Sequence, residues 1–299
     1  MLKRKSAIAI AIICLVLVAA ILSGCSGNNR TIVVGSKNFT ENIILGEIIA
    51  QIIEGKTDLK VERKLNMGGT FVCFEALKKG DIDVYADYTG TGLTAQLKMD
   101  VINDADKVYE IVQKEFNERF KLKWLMPYGF NNTYAVAVGE DFAKANNINT
   151  VSDLAPFSKD LVFGGEHEFF NRQDGYEGMA AAYGLQFKDQ VSMETALKYQ
   201  AMGEKKMDVT DAFATDGQLI TYKLKILADD KNFFPPYYAA PVIRMDTLKK
   251  NPQLESVLNE LGNKISDEEM QQMNYQVETE KKAIEAVASE FLKSKGVIK

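Results

Sequence analysis

The sequence predicts an α/β protein of two lobes with a cleft between them. Three observations lead there. β-rich runs alternate with apolar runs of helical spacing from residue 31, a second series of the same kind begins at residue 133, and turns carrying Gly, Thr and aromatic residues stand at strand ends. Strands that alternate with helices pair in parallel, with the helices on the sheet faces. In such sheets ligand groups collect in loops at the carboxyl ends of strands, and a cleft between two lobes is the expected binding site.

The first thirty residues stand outside this rhythm. Lys3, Arg4 and Lys5 precede an uncharged apolar run over 7–21. That run is shorter than the ~20 residues a membrane-spanning helix needs, and the order positive, apolar, small is that of a secretory signal. Leu22-Ser-Gly-Cys25 follows and resembles the bacterial lipobox, in which the cysteine is diacylated and the signal is cut just before it. The expected arrangement is a signal over 1–24, a lipid on Cys25 and a short polar linker over 25–30, flexible by its composition.

Loss of the signal removes three basic groups and no acid, taking the formal net charge from -5 to -8. An acidic body argues against nucleic acid as a partner. It also argues against electrostatic adhesion to anionic lipid, so attachment to a membrane falls to the acyl chains. Of three cysteines, Cys14 leaves with the signal, Cys25 carries lipid and Cys73 remains alone. No disulfide can then form within the chain, and a composition 46% hydrophobic must supply the core of one large or two medium domains. Cys73 lies in a helical run over 70–77 and reads as a small buried apolar residue.

Each element has its own signal. Residues 31–36 are β-rich and end at Gly35 and Ser36, a strand. Ile43, Ile44, Leu45, Ile48, Ile49 and Ile52 then repeat at helical spacing. A second strand over 58–65, a helix over 70–79 and a strand over 81–85 follow, the last running into the turn Tyr88-Thr-Gly-Thr-Gly92. A charged amphipathic helix spans 104–120 and a short strand 122–125. The second series has strands over 133–138, 161–165 and 208–213, with helices over 175–183 and 192–202. Pro235 and Pro236 break the chain, 240–244 returns as a strand, and 246–295 is helical with interruptions near Pro252 and over 262–266. This pattern yields one lobe over 31–132 plus 238–299 and another over 133–237.

Several stretches resemble the substrate-binding proteins of osmoprotectant ABC importers, which take up glycine betaine, carnitine, choline and proline betaine. They are Gly35-Ser-Lys-Asn-Phe-Thr-Glu41, Gly68-Gly-Thr70, Gly80-Asp-Ile-Asp-Val-Tyr-Ala-Asp-Tyr-Thr-Gly-Thr91, Asn171-Arg-Gln-Asp-Gly175, Asp211-Ala-Phe-Ala-Thr-Asp-Gly217 and Phe233-Phe-Pro-Pro-Tyr237. They extend over almost the whole body of the chain in family order. The resemblance implies a two-lobed periplasmic-binding-protein fold of type II: two mixed sheets flanked by helices, a central ligand cleft and two crossovers. It also implies a monomer that closes on ligand and delivers it to a membrane permease with a cytoplasmic ATPase, without cofactor or metal.

A quaternary ammonium group has no N–H to donate, so it is held by the negative faces of aromatic rings set as a box around its methyl groups. By resemblance Tyr88 and Tyr134 occupy two box positions, Phe213 stands where relatives usually carry a third Tyr, and an aromatic of 233–238, Tyr237 by preference, supplies the fourth. Phe213 keeps a ring face and lacks the hydroxyl. A betaine or carnitine also carries a carboxylate, which takes a fixed cation and oriented donors. The resemblance places Lys37, Thr91 and Arg172 at carboxylate-binding positions. Lys37 lies in the loop before the first helix, where free backbone N–H groups favour an anion.

Other readings differ in chemistry. His167 is the only histidine, which rules out a multi-histidine metal site and makes any Ser-His-Asp hydrolase depend on it alone. No G-x-S-x-G, phosphate loop or CxxC occurs, so an enzyme is not expected. A binder of another ligand, an amino acid or ergothioneine, stays open. Ergothioneine is itself a trimethylammonium betaine and satisfies the same ring chemistry.

Overall fold

The computed structural model describes residues 31–171 and 175–299. The expected signal and linker, with Cys25, and the candidate Arg172 lie outside the described residues. In chain order the strands are β1 (Thr31–Gly35), β2 (Lys60–Lys64), β3 (Val84–Tyr88), β4 (Leu122–Trp124), β5 (Tyr134–Gly139), β6 (Val162–Glu166), β7 (Asp189–Met193), β8 (Val209–Phe213), β9 (Leu224–Leu227) and β10 (Ala239–Arg244). The helices are α1 (Thr40–Lys56), α2 (Thr70–Lys79), α3 (Ala105–Phe120), α4 (Glu140–Asn146), α5 (His167–Asn171), α6 (Tyr176–Tyr183), α7 (Thr195–Gly203), α8 (Gln218–Thr221), α9 (Met245–Lys250), α10 (Gln253–Asn259), α11 (Asp267–Glu278) and α12 (Ile284–Ser294).

Two five-stranded sheets result, in the orders β2-β1-β3-β10-β4 and β7-β6-β8-β5-β9. Each is mixed in the same way. β1 pairs with β3 in parallel while β10 runs antiparallel to β3 and β4; β6 pairs with β7 and β8 in parallel while β5 runs antiparallel to β8 and β9. In each sheet the antiparallel strand is the one next to a crossing segment. This is the two-lobed type II architecture.

The isoleucine repeat of α1 explains its place. Ile44, Leu45, Ile48, Ile49, Ile52 and Ile53 are all fully buried and join β1, β3, β10 and the C-terminal helices in one cluster through Val84, Ile243, Val287 and Leu292. Each such side chain contributes about 1.5–3 kcal/mol when withdrawn from water, so α1 is fixed firmly and the loop before it with it. The opposite face of the first sheet packs α2 and α3 around Cys73, Phe116 and Trp124. The second sheet is sandwiched likewise, with Phe163 and Val209 on one face and Ala137, Ala212 and Met207 on the other.

Three passages depart from the pattern in the sequence. The strand expected over 81–85 is β3 at Val84–Tyr88, so Tyr88 closes the strand itself. Residues 192–193, expected to open a helix, end the edge strand β7, and α7 begins only at Thr195. β7 is largely exposed on both faces, so it lacks the alternation that marks a half-buried strand. β9, an antiparallel edge partner of β5, is four residues long and gives no periodic signal.

The two crossing segments are bonded to each other. Asn131 and Tyr238 form an antiparallel bridge, the Tyr237 N–H donates to Asn131 Oδ1 at 2.7 Å, and the Thr133 hydroxyl donates to the Pro235 carbonyl at 2.7 Å. A paired, short connection of this kind lets two lobes turn about one axis while confining the turn to few residues.

Candidate functional site

The site is assembled from strand ends. Tyr88 is the last residue of β3 and Phe213 the last of β8, while Tyr134 is the first of the antiparallel β5. The register pairs Tyr134 with Phe213. Tyr237 arrives from the second crossing segment, and its position depends on Gly90: a Cβ there would stand 2.8 Å from the Tyr237 ring and 2.6 Å from the Pro236 carbonyl. The turn after β3 is clasped to that segment, with the Thr89 N–H donating to the Tyr238 carbonyl at 3.0 Å and the Tyr238 N–H to the Thr89 hydroxyl at 3.1 Å.

These groups surround two adjoining cavities of about 570 and 440 Å³ that share Thr70, Thr91, Asn132, Phe213 and Tyr237. Lys37 and Tyr88 line the larger one and Tyr134 the smaller. The cleft therefore gathers Tyr88, Tyr134, Phe213, Tyr237, Lys37 and Thr91. The Tyr134 and Phe213 rings lie 4.6 Å apart between centroids and are tilted by 32°. Phe39, which sequence reasoning passed over, also lines the larger cavity, with its ring 6.1 Å from that of Tyr88.

Lys37 is placed by the loop after β1. Asn42 holds that loop, accepting the Lys37 N–H at 2.6 Å and donating to the Ala86 carbonyl at 2.9 Å. The Lys37 ammonium donates to Asp87 Oδ1 at 2.6 Å and to the Thr70 hydroxyl at 3.0 Å, and it lies 5.1 Å from the Tyr88 ring centroid. Asp87 is fully buried and also accepts from Gln96 at 2.7 Å and from the Tyr85 hydroxyl. An ammonium has three donors, so Lys37 spends two on the protein and its charge is matched by Asp87. The second lobe holds a comparable pair, with the fully buried Lys198 at 2.7 Å from Asp211, 3.5 Å from Glu166 and 5.8 Å from the Phe213 ring. Burial pushes the Asp211 carboxyl up from its ordinary value, against the pull of Lys198.

A carboxylate that sequence reasoning did not assign stands at the centre. Glu41, in the first turn of α1, lines the larger cavity and is itself 3% exposed. It accepts from the Tyr88 hydroxyl at 2.6 Å, from Asn132 at 2.9 Å and from Asn274 at 3.2 Å, and it is bonded to the Thr215 hydroxyl. Burial raises its carboxyl to about 6 against the lowering effect of those bonds. Its partners come from β3, the first crossing segment, the loop after β8 and α11. Burial, and then the Glu41 charge, hold the Tyr88 hydroxyl well above its usual range. Asp216 is a further acid at the cavity wall, bonded to the Tyr199 hydroxyl and to the Phe213 N–H at 3.2 Å and raised by burial. The runs that hold Glu41 and Asp216 were visible in the sequence, though neither acid was assigned a role, and Asn274 carried no separable signal.

His167 lies apart from the cleft. Its exposed ring meets the Ser192 hydroxyl at 2.7 Å through Nδ1 and Glu194 at 3.6 Å through Nε2, and none of the three lines either cavity. Among the described residues no group of three or more Cys, His, Asp or Glu side chains is placed to hold a metal ion.

Two mixed sheets, paired crossing segments and a cleft walled by rings from both lobes define a periplasmic-binding-protein type of solute binder. Residues 30–294 match the model of the substrate binding domain of the ABC-type glycine betaine transport system, and the chain belongs to that family. It is 40% identical over 297 residues to the carnitine transport binding protein OpuCC of Listeria monocytogenes, covering 97% of this chain and 96% of that one. It is 39% identical over 269 residues to the ergothioneine transport permease/ergothioneine binding protein EgtU of Helicobacter pylori, covering 90% of this chain and 48% of that one. Its fold is similar to the crystal structure of a glycine betaine/carnitine/choline ABC transporter protein, with TM-score 0.86 and 37% identity over 89% of this chain and 99% of that one. These relatives carry the names of transport and binding proteins.

Proposed function

We propose that this chain is the extracytoplasmic substrate-binding subunit of an ABC importer for quaternary-ammonium solutes of the glycine betaine, carnitine, choline and proline betaine class. It acts as a monomer, without catalysis, and is tethered to the outer face of the membrane by lipid on Cys25. No described helix is long and apolar enough to cross a membrane, so in this reading attachment rests on the acyl chains. Lobe 1 comprises 31–132 and 238–299 and lobe 2 comprises 133–237, turning about the bonded crossing segments.

The observation that carries the reading is the convergence of Tyr88, Tyr134, Phe213 and Tyr237 on one cleft. A trimethylammonium group takes ring faces in place of hydrogen bonds, at up to about 2 kcal/mol for each desolvated contact. Four such contacts reach about 8 kcal/mol, the range of micromolar binding before association costs are counted. Lys37, Thr91 and Arg172 serve the ligand carboxylate. For Lys37 the third N–H is the available donor, which makes its contribution directional more than electrostatic. Because Tyr88 and Tyr134 sit on different lobes, a ligand touching both gains contacts only in the closed state and shifts the population toward it.

Calorimetry against glycine betaine, carnitine, choline, proline betaine, ergothioneine and unrelated amino acids tests this. Micromolar binding of at least one quaternary ammonium is expected. Binding confined to amino acids, or none tighter than millimolar, overturns it. The identity to the ergothioneine-binding relative keeps ergothioneine in the panel as the second reading.

A further inference from the structure

Around Tyr88 the buried charges do not cancel. Lys37 and Asp87 neutralise each other at 2.6 Å, whereas every hydrogen-bond partner of Glu41 is a neutral hydroxyl or amide. One negative charge is therefore left beside the ring. It is coupled to that ring, since the Tyr88 hydroxyl donates to Glu41 Oε1 at 2.6 Å. A phenol that donates to a carboxylate gains electron density on its ring, and a more negative ring face attracts a cation more strongly. The same arrangement recurs in lobe 2, where the Tyr134 hydroxyl donates to Glu166 at 3.0 Å, but there Lys198 stands 3.5 Å from the acid.

We propose that Glu41 is the positioning residue that makes this site select for positive charge: through the Tyr88 hydroxyl it fixes the ring and supplies the negative charge that a bound quaternary ammonium neutralises. This rests on the quaternary-ammonium reading above. It accounts for an otherwise costly feature, an acid buried among neutral groups, and for the use of both amide groups, Asn132 and Asn274, to hold it.

A cation bound near Glu41 favours the ionised carboxylate, so binding lowers the pKa of that group, and affinity rises with pH until the carboxylate is ionised in the free protein. With the carboxyl raised to about 6, the rise falls between pH 5 and 7. The other titratable groups that face this region are Lys37 and Asp87 below the ring, Asp216 from the loop after β8 and Glu278 from α11. The test must separate Glu41 from these.

Calorimetry with choline, which has no titrating group in this range, and in parallel with glycine betaine, is run from pH 5 to 8 on the wild type and on Glu41→Gln. Measurements at pH 6 in two buffers of different ionisation enthalpy give the protons released. The wild type is expected to bind roughly fivefold more weakly at pH 5 than at pH 8, for one unit of pKa change on binding, and to release protons. Glu41→Gln is expected to bind at the low level at every pH and to release none. Circular dichroism confirms that the variant is folded. A variant with wild-type affinity at pH 8, or one that keeps the pH profile and the proton release, overturns the assignment and transfers it to Asp216 or Glu278. If neither ligand binds, carnitine, proline betaine and ergothioneine take their place, and a wild type that binds none of the five at any pH overturns the quaternary-ammonium reading itself.

Discussion

Tyr134 and Phe213 are register partners on neighbouring antiparallel strands, and their rings lie 4.6 Å apart with planes tilted by 32°. The pair forms one wall of the cleft, and Phe213 also has the Lys198 ammonium 5.8 Å from its ring centroid. The contribution of Phe213 is thus a ring face, with no hydroxyl to anchor it. Phe213→Tyr should change affinity for a quaternary ammonium by less than about threefold, while Phe213→Ala should weaken it roughly 10- to 30-fold, the factor for one desolvated ring contact. Titration calorimetry on the two variants gives the answer, and equal losses in both would show that the site reads something other than the ring face.

Lys37 and Asp87 test whether the cation of lobe 1 serves the ligand or the fold. Both are buried and lie 2.6 Å apart. Removing one partner of a buried pair leaves an uncompensated charge, at about 3–5 kcal/mol. Lys37→Met should lose about that much stability in urea unfolding, and Lys37→Met with Asp87→Asn should regain most of it. If Lys37 also donates to a ligand carboxylate, the double variant should bind glycine betaine more weakly than wild type and choline about equally well. Choline lacks the carboxylate, so matching losses for the two ligands would exclude that role.

Glu41 should lower stability at neutral pH. Its folded-state carboxyl is raised from 4.5 to about 6 by burial, so the folded protein holds that proton more tightly than the unfolded chain does. The stability contributed is full below about pH 4.5 and is lost as pH rises through 6, amounting to about 2 kcal/mol by linkage. Glu41→Gln should therefore be more stable than wild type at pH 7.5 by about that amount, and the difference should shrink toward pH 4.5. Thermal unfolding across this range checks it. A variant less stable than wild type at pH 7.5 would mean that the four donors around Glu41 outweigh its desolvation.

Lipidation of Cys25 has a cellular test. Wild-type protein should partition with the membrane fraction, and Cys25→Ser should leave soluble full-length protein or retain an uncleaved signal. Metabolic labelling with a palmitate analogue should mark the wild type alone. Membrane retention of an unlabelled Cys25→Ser protein of mature size would overturn the tether.

The fold was legible where pattern and burial agree. The isoleucines of α1 carry helical spacing because one whole helix is wrapped by β-strands and C-terminal helices, and Phe213 stands out because it ends a buried strand, whereas the strand expected over 81–85 stops three residues short of the end of β3 at Tyr88. β7 and β9 were not legible, since edge strands that are short or exposed on both faces have no alternation to display. The ring positions of the site came from the family resemblance, but the role of Glu41 did not. That role arises from Asn132, Thr215 and Asn274 converging on one carboxylate, and 233 positions separate Glu41 from Asn274. Local sequence carries no record of such a meeting. The pairing of Lys37 with Asp87, 50 positions away, was hidden for the same reason, and it changes Lys37 from a loose cation into half of a buried pair.

Closure itself can be tested at Gly217. This residue follows β8 in lobe 2, and a Cβ on it would stand 2.6 Å from the Tyr275 backbone nitrogen and 2.9 Å from its Cα. Tyr275 belongs to α11, which packs against α1 of the first lobe. The contact is fastened nearby, where Gln271 donates to the Ala214 carbonyl at 2.7 Å and Asn274 to the Thr215 carbonyl at 2.9 Å. Gly217 has φ -64°, a value open to any residue, so alanine brings no backbone strain, and its methyl group acts only by holding α11 and the loop apart. Gly217→Ala should then leave the second lobe folded but reduce the share of molecules able to close. Apparent affinity falls in proportion to that share, so a loss of roughly tenfold in binding with a change of less than about 1 kcal/mol in unfolding stability is expected. Small-angle scattering should show a smaller compaction on adding ligand than in the wild type. Unchanged affinity with normal compaction would mean that α11 yields to the methyl group and that closure is governed by the crossing segments alone.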